Sequence, residues 1–299
     1  MVLRLEGVIC AMVTLFKSNY ELDEEAIRGQ VDFLIKKGVH GILACGSLGE
    51  FSYITESERK KVAEIAVDQA NGRVPVMIGT ASCSTDEVIR LTRHAKDIGA
   101  DASVVVPPYY FVQFMKNEAL YEHYRAIAEA SDFPIVIYNF PASNSINLDP
   151  ALIARLAQIP NIAGLKDSTD ALRHMQSVIL LTEGKFKVIA GSEDLMLPIL
   201  MIGGYGAVTG PGNFHPDFTV GCYEAFKKGD LNKAMELSRK IMRMQKVLPI
   251  GRTGTIPVFK EAIKLTGRNI SPTVRRPLLP LTTDERERLR QILKEEGII

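Results

Sequence analysis

The sequence predicts a (β/α)8 barrel followed by a C-terminal helical extension. Three observations carry that expectation. Residues 8–210 alternate eight short β-rich runs with segments of helical spacing, and no linker or low-complexity stretch divides them. The runs are continuously apolar, as strands buried on both faces of a parallel sheet are, rather than alternating in the manner of a half-exposed antiparallel sheet. After Gly210 the strand signal stops and only helical patterns follow. A doubly wound open sheet is the main competitor, but no GxGxxG follows the first run.

The first strand is expected in "VICAMVTLF" (8–16), followed by the helix "DEEAIRGQVDFLIKKG". "GILACG" (41–46) leads to "TESERKKVAEIAVDQANG", and "VPVMIGT" (74–80) to "STDEVIRLTRHAKDIG". "ASVVVPP" (102–108) leads to "KNEALYEHYRAIAEA", "PIVIYN" (134–139) to "DPALIARLA", and "IAGLK" (162–166) to "TDALRHMQSVILL". "FKVIAG" (186–191) and "GAVTG" (206–210) complete the eight. Several helical segments open with Ser, Thr or Asp followed by acidic residues and close with Gly, as N-caps, the helix dipole and C-terminal turns favour. "FTVGCYEAFKKG" is then the eighth barrel helix, giving a barrel over 1–228 and an extension over 229–299.

Composition narrows the partners. The 299 residues are 46% hydrophobic and 24% charged, enough for a large core, and 36 Lys plus Arg against 35 Asp plus Glu give a net charge of +1. That balance supplies no electrostatic argument for nucleic acid or an anionic membrane. The N-terminus lacks the pattern of a signal peptide, and no apolar run reaches transmembrane length, so a cytoplasmic protein is expected. Cys10, Cys45, Cys83 and Cys222 are scattered, without CxxC or a His at ligand spacing. They read as thiols; neither a metal nor another cofactor is expected.

Barrel enzymes carry their chemistry at the C-terminal ends of strands. Here those ends are "CGSLGE", "PPYYF", "YNFPA", "KDST", "GSED" and "TGPGN". Lys166 closes an apolar run, where desolvation lowers its pKa and frees the amine to attack a ketone; the bland alternative is pairing with Asp167 or Asp194, or snorkelling to the rim. Tyr138, one strand earlier, is either a proton carrier beside that amine or a packing residue. "GSLGE" (46–50) offers backbone N–H groups and the Ser47 hydroxyl to a carboxylate, although Gly-Ser loops often only turn the chain. Tyr109 and Tyr110 either line the pocket or form a packing corner. His40, His94, His123 and His174 read as surface or core residues, and His215, the one expected near the mouth, receives no role. "GYGAVTG" lacks the order of a phosphate loop and suits close backbone approach to a small ligand.

"GSLGE", "PPYY", "YNFP", "GLKDS" and "GSEDLMLPILMIGGYGAVTGPGN", in this order and spacing, resemble the dihydrodipicolinate synthase/N-acetylneuraminate lyase family of pyruvate-dependent class I aldolases. The resemblance covers nearly the whole chain. It implies that Lys166 forms the Schiff base, that Tyr138 relays protons, and that Ser47 with neighbouring amides holds the pyruvate carboxylate. It also implies that Tyr110 reaches a neighbouring subunit's site, that Gly191 and Val208 offer carbonyls near the lysine, and that the assembly is a homotetramer built from dimers. Two positions depart from the synthase branch. Leu48 replaces a threonine, which is expected to break a hydroxyl relay through Tyr138. Ser143 stands where an arginine would bind the carboxylate of aspartate semialdehyde. "YNFPASNSINL" and "FKEAIKLTGR" look more like 2-keto-3-deoxy sugar-acid aldolases. The expected substrates are therefore pyruvate and a hydroxyaldehyde. Dihydrodipicolinate synthase is the alternative within the class, with dehydratase and sialic acid lyase variants behind it. A non-catalytic 2-keto-acid binding protein is the alternative outside it, and the presence of both Lys166 and Tyr138 speaks against that one.

Overall fold

The computed structural model describes residues 3–299. Eight strands, β1 (Gly7–Ala11), β2 (Gly41–Ala44), β3 (Val76–Gly79), β4 (Ala102–Val105), β5 (Ile135–Asn139), β6 (Ile162–Asp167), β7 (Lys187–Ala190) and β8 (Gly206–Thr209), pair in sequence order into a closed barrel. Closure comes from parallel pairing of β1 with β8, Val8 opposite Ala207 and Ile9 opposite Val208. This is a (β/α)8 barrel, and the open-sheet competitor falls with the closing pair.

The helices are α1 (Glu24–Lys36), α2 (Glu56–Ala70), α3 (Thr85–Asp97), α4 (Asn117–Ser131), α5 (Pro141–Asn144), α6 (Pro150–Leu156), α7 (Leu172–Leu181), α8 (Met196–Met201), α9 (Asp217–Lys227), α10 (Leu231–Met244), α11 (Thr255–Leu265) and α12 (Thr283–Glu295). Their starts follow the capping signals: Asp23 accepts from Ala26 N–H, Ser84 from Glu87 N–H, and Thr55 with Glu58 and Thr282 with Glu285 form reciprocal capping boxes. Several expected boundaries move, β4 for instance ending at Val105 rather than residue 108, and two of the shifts have a visible cause. β1 stops at Ala11 rather than residue 16, because Val13 N–H is taken by Asn213 and the Thr14 hydroxyl by Gly49 O, in loops rather than on a neighbouring strand. Helix α7 starts three residues late, because the Thr169 N–H and hydroxyl are held by Asp167.

Alternation along the strands sorts their side chains into two sets. Ile9, Ala11, Leu43, Met77, Val104, Val136, Tyr138, Ile189 and Val208 pack together as one cluster, the barrel interior. The residues between them, such as Val105, Ile135, Ile137, Leu165 and Val188, pack against the surrounding helices. The extension is not a separate layer: Val247, Val258, Phe259, Leu289 and Leu293 share a core with Cys10, Ile42 and Ile78 of β1 to β3. No helix among the described residues is long and apolar enough to cross a membrane.

One irregularity decides which way Lys166 faces. β5 and β6 pair as Ile135 with Ile162, but the next pair is Val136 with Gly164, so Ala163 is an extra residue. A one-residue bulge inverts the alternation beyond it. Leu165 therefore turns outward and Lys166 inward, opposite Tyr138 in register. Gly164 fits there for lack of a side chain: an added Cβ would run into Leu5 Cδ2 and stand 2.6 Å from Lys187 O. We expect Gly164→Ala to destabilise the protein by about 1–3 kcal/mol, the usual cost of overpacking a filled interior. Urea denaturation measures it, and an unchanged midpoint would contradict the packing of β6 described above.

Candidate active site

Lys166 lies at the C-terminal end of β6, only 5% exposed. Its Nζ stands 3.8 Å from the centroid of the Tyr138 ring. It makes no ion pair with a carboxylate among the described residues, and the two expected rivals are engaged elsewhere. Asp167 holds Thr169 and His174, and Asp194 accepts from the Ser192 hydroxyl. The ring face attracts an ammonium by about 0.5–2 kcal/mol. That is less than the several kcal/mol that burying an unpaired ion costs. Burial accordingly pushes the Lys166 pKa down to about 7, so that roughly half the amine is free near neutrality.

Tyr138 occupies the neighbouring strand end, stacked on Phe140 with centroids 5.4 Å apart. Its hydroxyl faces those of Ser168 and Ser47; burial pushes its pKa up to about 12, and these two partners hold it from rising further. Leu48 supplies no hydroxyl, but Ser47 and Ser168 set two others beside Tyr138 in the same chamber. Ser168 escaped the reading of the sequence, since a Ser two residues past a strand-end lysine has no signal of its own.

"GSLGE" folds into a 3-10 turn, Ser47–Gly49, ending in Glu50 in the left-handed region (φ 58°). Gly49 and Glu50 N–H close the turn on Gly46 O and Ser47 O, which leaves the amides of Ser47 and Leu48 at its open start. Ser47, Leu48, Gly191 and Val208 all line a chamber of about 270 Å³ around Lys166 and Tyr138. Gly191 must be glycine, because a Cβ would collide with Ser168 Oγ. The same chamber takes Glu193, which the sequence did not single out. Burial pushes its carboxyl up to about 7, opposed by the Thr209 and Thr219 hydroxyls that donate to it. Gln245, Thr255 and Phe259 of the extension also line it.

A second chamber of about 480 Å³ shares Ser47, Leu48, Phe140 and Thr255 with the first. Ser143, Asn144, Ser52, Tyr53, Tyr109 and Thr253 contribute polar groups there, and its lining holds no charged side chain. Arg252, the arginine nearest in sequence, is committed to Glu285 at 3.2 Å and Pro280 O at 3.2 Å. Tyr110 is not brought into either chamber; it stands 67% exposed against Phe111. His215 also lies outside both chambers and pairs with Asp217 at 3.3 Å.

His174 is the histidine that the sequence reading undervalued. Its Nδ1 lies 2.6 Å from Asp167 Oδ2 and its Nε2 2.8 Å from Leu148 O. Both ring nitrogens thus face acceptors, which only the imidazolium satisfies. Asp167 is fully buried, directly follows Lys166, and accepts Gly191 N–H on its backbone oxygen at 2.6 Å. The pair therefore fastens the end of β6 from behind. No cluster of three or more His, Cys, Asp or Glu among the described residues is arranged to hold a metal ion.

Comparison with known proteins identifies the family. Residues 4–296 match the model of the dihydrodipicolinate synthetase family. A 4-hydroxy-tetrahydrodipicolinate synthase of Syntrophus aciditrophicus (strain SB) is 40% identical over 294 residues, 98% of this chain and 99% of the relative. The probable 2-dehydro-3-deoxy-D-pentonate aldolase YjhH of Escherichia coli (strain K12) is 34% identical over 300 residues, 99% of each chain. Among solved structures, YagE, a prophage protein of the dihydrodipicolinic acid synthase family from E. coli K12 in complex with pyruvate, superposes with a TM-score of 0.95 at 34% identity, covering 99% of this chain and 100% of its own.

The His174 pair sets a pH dependence. Burial pulls the imidazole pKa down, but the hydrogen bond and charge of Asp167 outweigh it and hold the pKa above its ordinary value. A raised folded pKa contributes stability that is complete below the unfolded value, about 6.5, and is lost as pH rises through the folded one. His174→Leu should cost about 1–3 kcal/mol at mildly acidic pH, by leaving a buried carboxylate short of a donor. The difference from wild type should narrow toward alkaline pH. Thermal melts of both proteins across that window check this, and a gap independent of pH would remove the imidazolium from the account.

Proposed function

The chain belongs to the dihydrodipicolinate synthetase family, and on that premise we propose that it is a class I aldolase that reversibly cleaves a 2-keto-3-deoxy sugar acid to pyruvate and a hydroxyaldehyde. One observation carries the chemistry: a buried lysine without a counter-charge, in register beside a tyrosine hydroxyl at the mouth of the barrel. The free amine of Lys166 attacks C2 of the keto acid, and loss of water leaves an imine. Tyr138 carries protons to and from the departing oxygen, with Ser47 and Ser168 as its hydroxyl partners. The open amides of the 46–50 turn receive the carboxylate. Cleavage of the C3–C4 bond sends its electron pair into the imine, releasing the aldehyde as the C4 hydroxyl loses its proton. The enamine that remains takes a proton at C3, and water then frees pyruvate and the amine.

The aldehyde portion extends into the second chamber. Its uncharged lining, in which hydroxyls and the Asn144 amide are set among apolar walls such as Phe51 and Leu278, suits a polyhydroxylated chain, whereas a terminal carboxylate would be desolvated there without a guanidinium. This favours the sugar-acid reaction over condensation with aspartate semialdehyde, and the name of the YjhH relative accords with it. For the assembly, the exposed Tyr110, Phe111 and Phe114 in the loop between β4 and α4 support pairing of subunits into dimers, and of dimers into a tetramer.

Pyruvate with borohydride should label Lys166 as a reduced secondary amine, with a labelling rate that falls on acidification through about pH 7. Peptide mapping to another lysine would overturn the mechanism. Tyr138→Phe, which keeps the ring, should lower turnover on the order of 10²- to 10⁴-fold while the protein stays folded. For the substrate, wild type should show a higher kcat/KM for glyceraldehyde than for aspartate semialdehyde at saturating pyruvate, and Ser143→Arg should shift that ratio toward the semialdehyde. A wild-type preference for the semialdehyde would instead favour dihydrodipicolinate synthase.

A further inference from the structure

The 46–50 turn ends on a residue that the proposed chemistry leaves unused. Glu50 is 0% exposed, and its backbone lies in the left-handed region that residues with side chains avoid. Its carboxylate is held from the extension alone: Oε1 pairs with Lys260 Nζ, and Oε2 accepts Arg275 N–H at 2.7 Å. Lys260, also 0% exposed, sits on α11 and donates in addition to Thr273 O at 2.8 Å. The Phe16 ring lies against both cations, 4.2 Å from Lys260 Nζ and 4.6 Å from Arg275 Cζ. On the other side, the turn is fastened to the barrel by the Thr14 hydroxyl donating to Gly49 O at 2.7 Å.

A buried ion pair is a poor device for stability, because desolvation offsets most of the attraction and apolar replacements often serve better. Its geometry, by contrast, is strict. Glu50 directly follows the turn that presents the Ser47 and Leu48 amides, so the direction of those amides depends on where its carboxylate is anchored.

We infer that Glu50 and Lys260 are positioning residues for the keto-acid carboxylate, through which residues 260–275 of the extension set the aim of the Ser47 and Leu48 amides toward Lys166. This rests on the Schiff-base reading above and adds a part to it: the extension belongs to the pyruvate site without any of these residues touching the ligand. Affinity for the keto acid is the quantity they control, while the reactivity of Lys166, set by its own burial, is independent of them.

The test is borohydride trapping of pyruvate on Lys166, followed by mass spectrometry as a function of pyruvate concentration, on wild type, Lys260→Met and the double variant Glu50→Gln, Lys260→Met. The single variant leaves a buried carboxylate without its cation; the double variant leaves no unpaired charge and carries the test if the single one does not fold. In the folded variants the half-saturating pyruvate concentration should rise on the order of 10- to 100-fold, the scale of a small misplacement of binding groups. The extent of labelling at saturation should match wild type. A merely structural pair would lower the melting temperature and leave half-saturation where it was, and that result would overturn this inference alone. Failure to label wild type would overturn the Schiff-base reading itself.

Discussion

The site depends on one constraint: the Lys166 amine is buried at a barrel mouth where it meets a tyrosine ring and pairs with no carboxylate. In water an ammonium is comfortable and unreactive. Enclosed by β5 to β7 and the loops above them, it loses its hydration and receives only the weak field of an aromatic face in return. The cost of that arrangement appears as a pKa near neutrality, which is the property a nucleophilic amine requires. An acidic residue turned toward Nζ would have paired with it and held it protonated. Three of the nearby carboxylates are occupied elsewhere, Asp167 by His174 and Thr169, Asp194 by Ser192, and Glu193 by two threonine hydroxyls, while Asp170 lines the same chamber without forming an ion pair with the lysine.

That occupation gives the supporting residues their meaning. His174 and Asp167 brace the end of β6 from the outer side, so that the charge pair lies behind the lysine rather than in front of it. Glu50 and Lys260 form a second buried pair at the far side of the mouth, beneath the turn of open amides. The ligand side retains hydroxyls, amides and two carboxyls of raised pKa, the buried Glu193 and the more open Asp170. Strong charges are spent on architecture, and the weak, adjustable groups face the space where bonds would change.

The two chambers extend the same division outward. The inner one is small and holds the reactive groups; the outer one is larger and uncharged, with hydroxyls and one amide set among apolar walls, and the two meet at Ser47, Leu48, Phe140 and Thr255. A chain of hydroxylated carbons can exchange water for neutral donors along such a surface, while a terminal carboxylate would forfeit its hydration without a fixed cation to replace it. Leu48 and Ser143, the two departures from the synthase pattern, both lie on this path. Leu48 leaves the hydroxyl partners of Tyr138 intact and supplies an apolar wall where the chambers join.

The sequence by itself determined the order of eight parallel strands, the helical extension, and the set of residues at the strand ends, because these follow from local periodicity and capping. It also singled out Lys166, Tyr138 and Ser47 at its strand ends, to which the family resemblance added Gly191 and Val208, all five of which the fold gathers around one chamber. It did not determine which way they face. The inward turn of Lys166 follows from the extra residue Ala163 in β6, and a bulge is visible only once the partner strand fixes the register. Ser168, His174, Glu193 and the pair of Glu50 with Lys260 were likewise decided by tertiary structure. Each gains its environment from groups that only folding brings near, up to 210 positions away for Glu50 and Lys260, and burial and proximity of that kind leave no periodic trace along the chain.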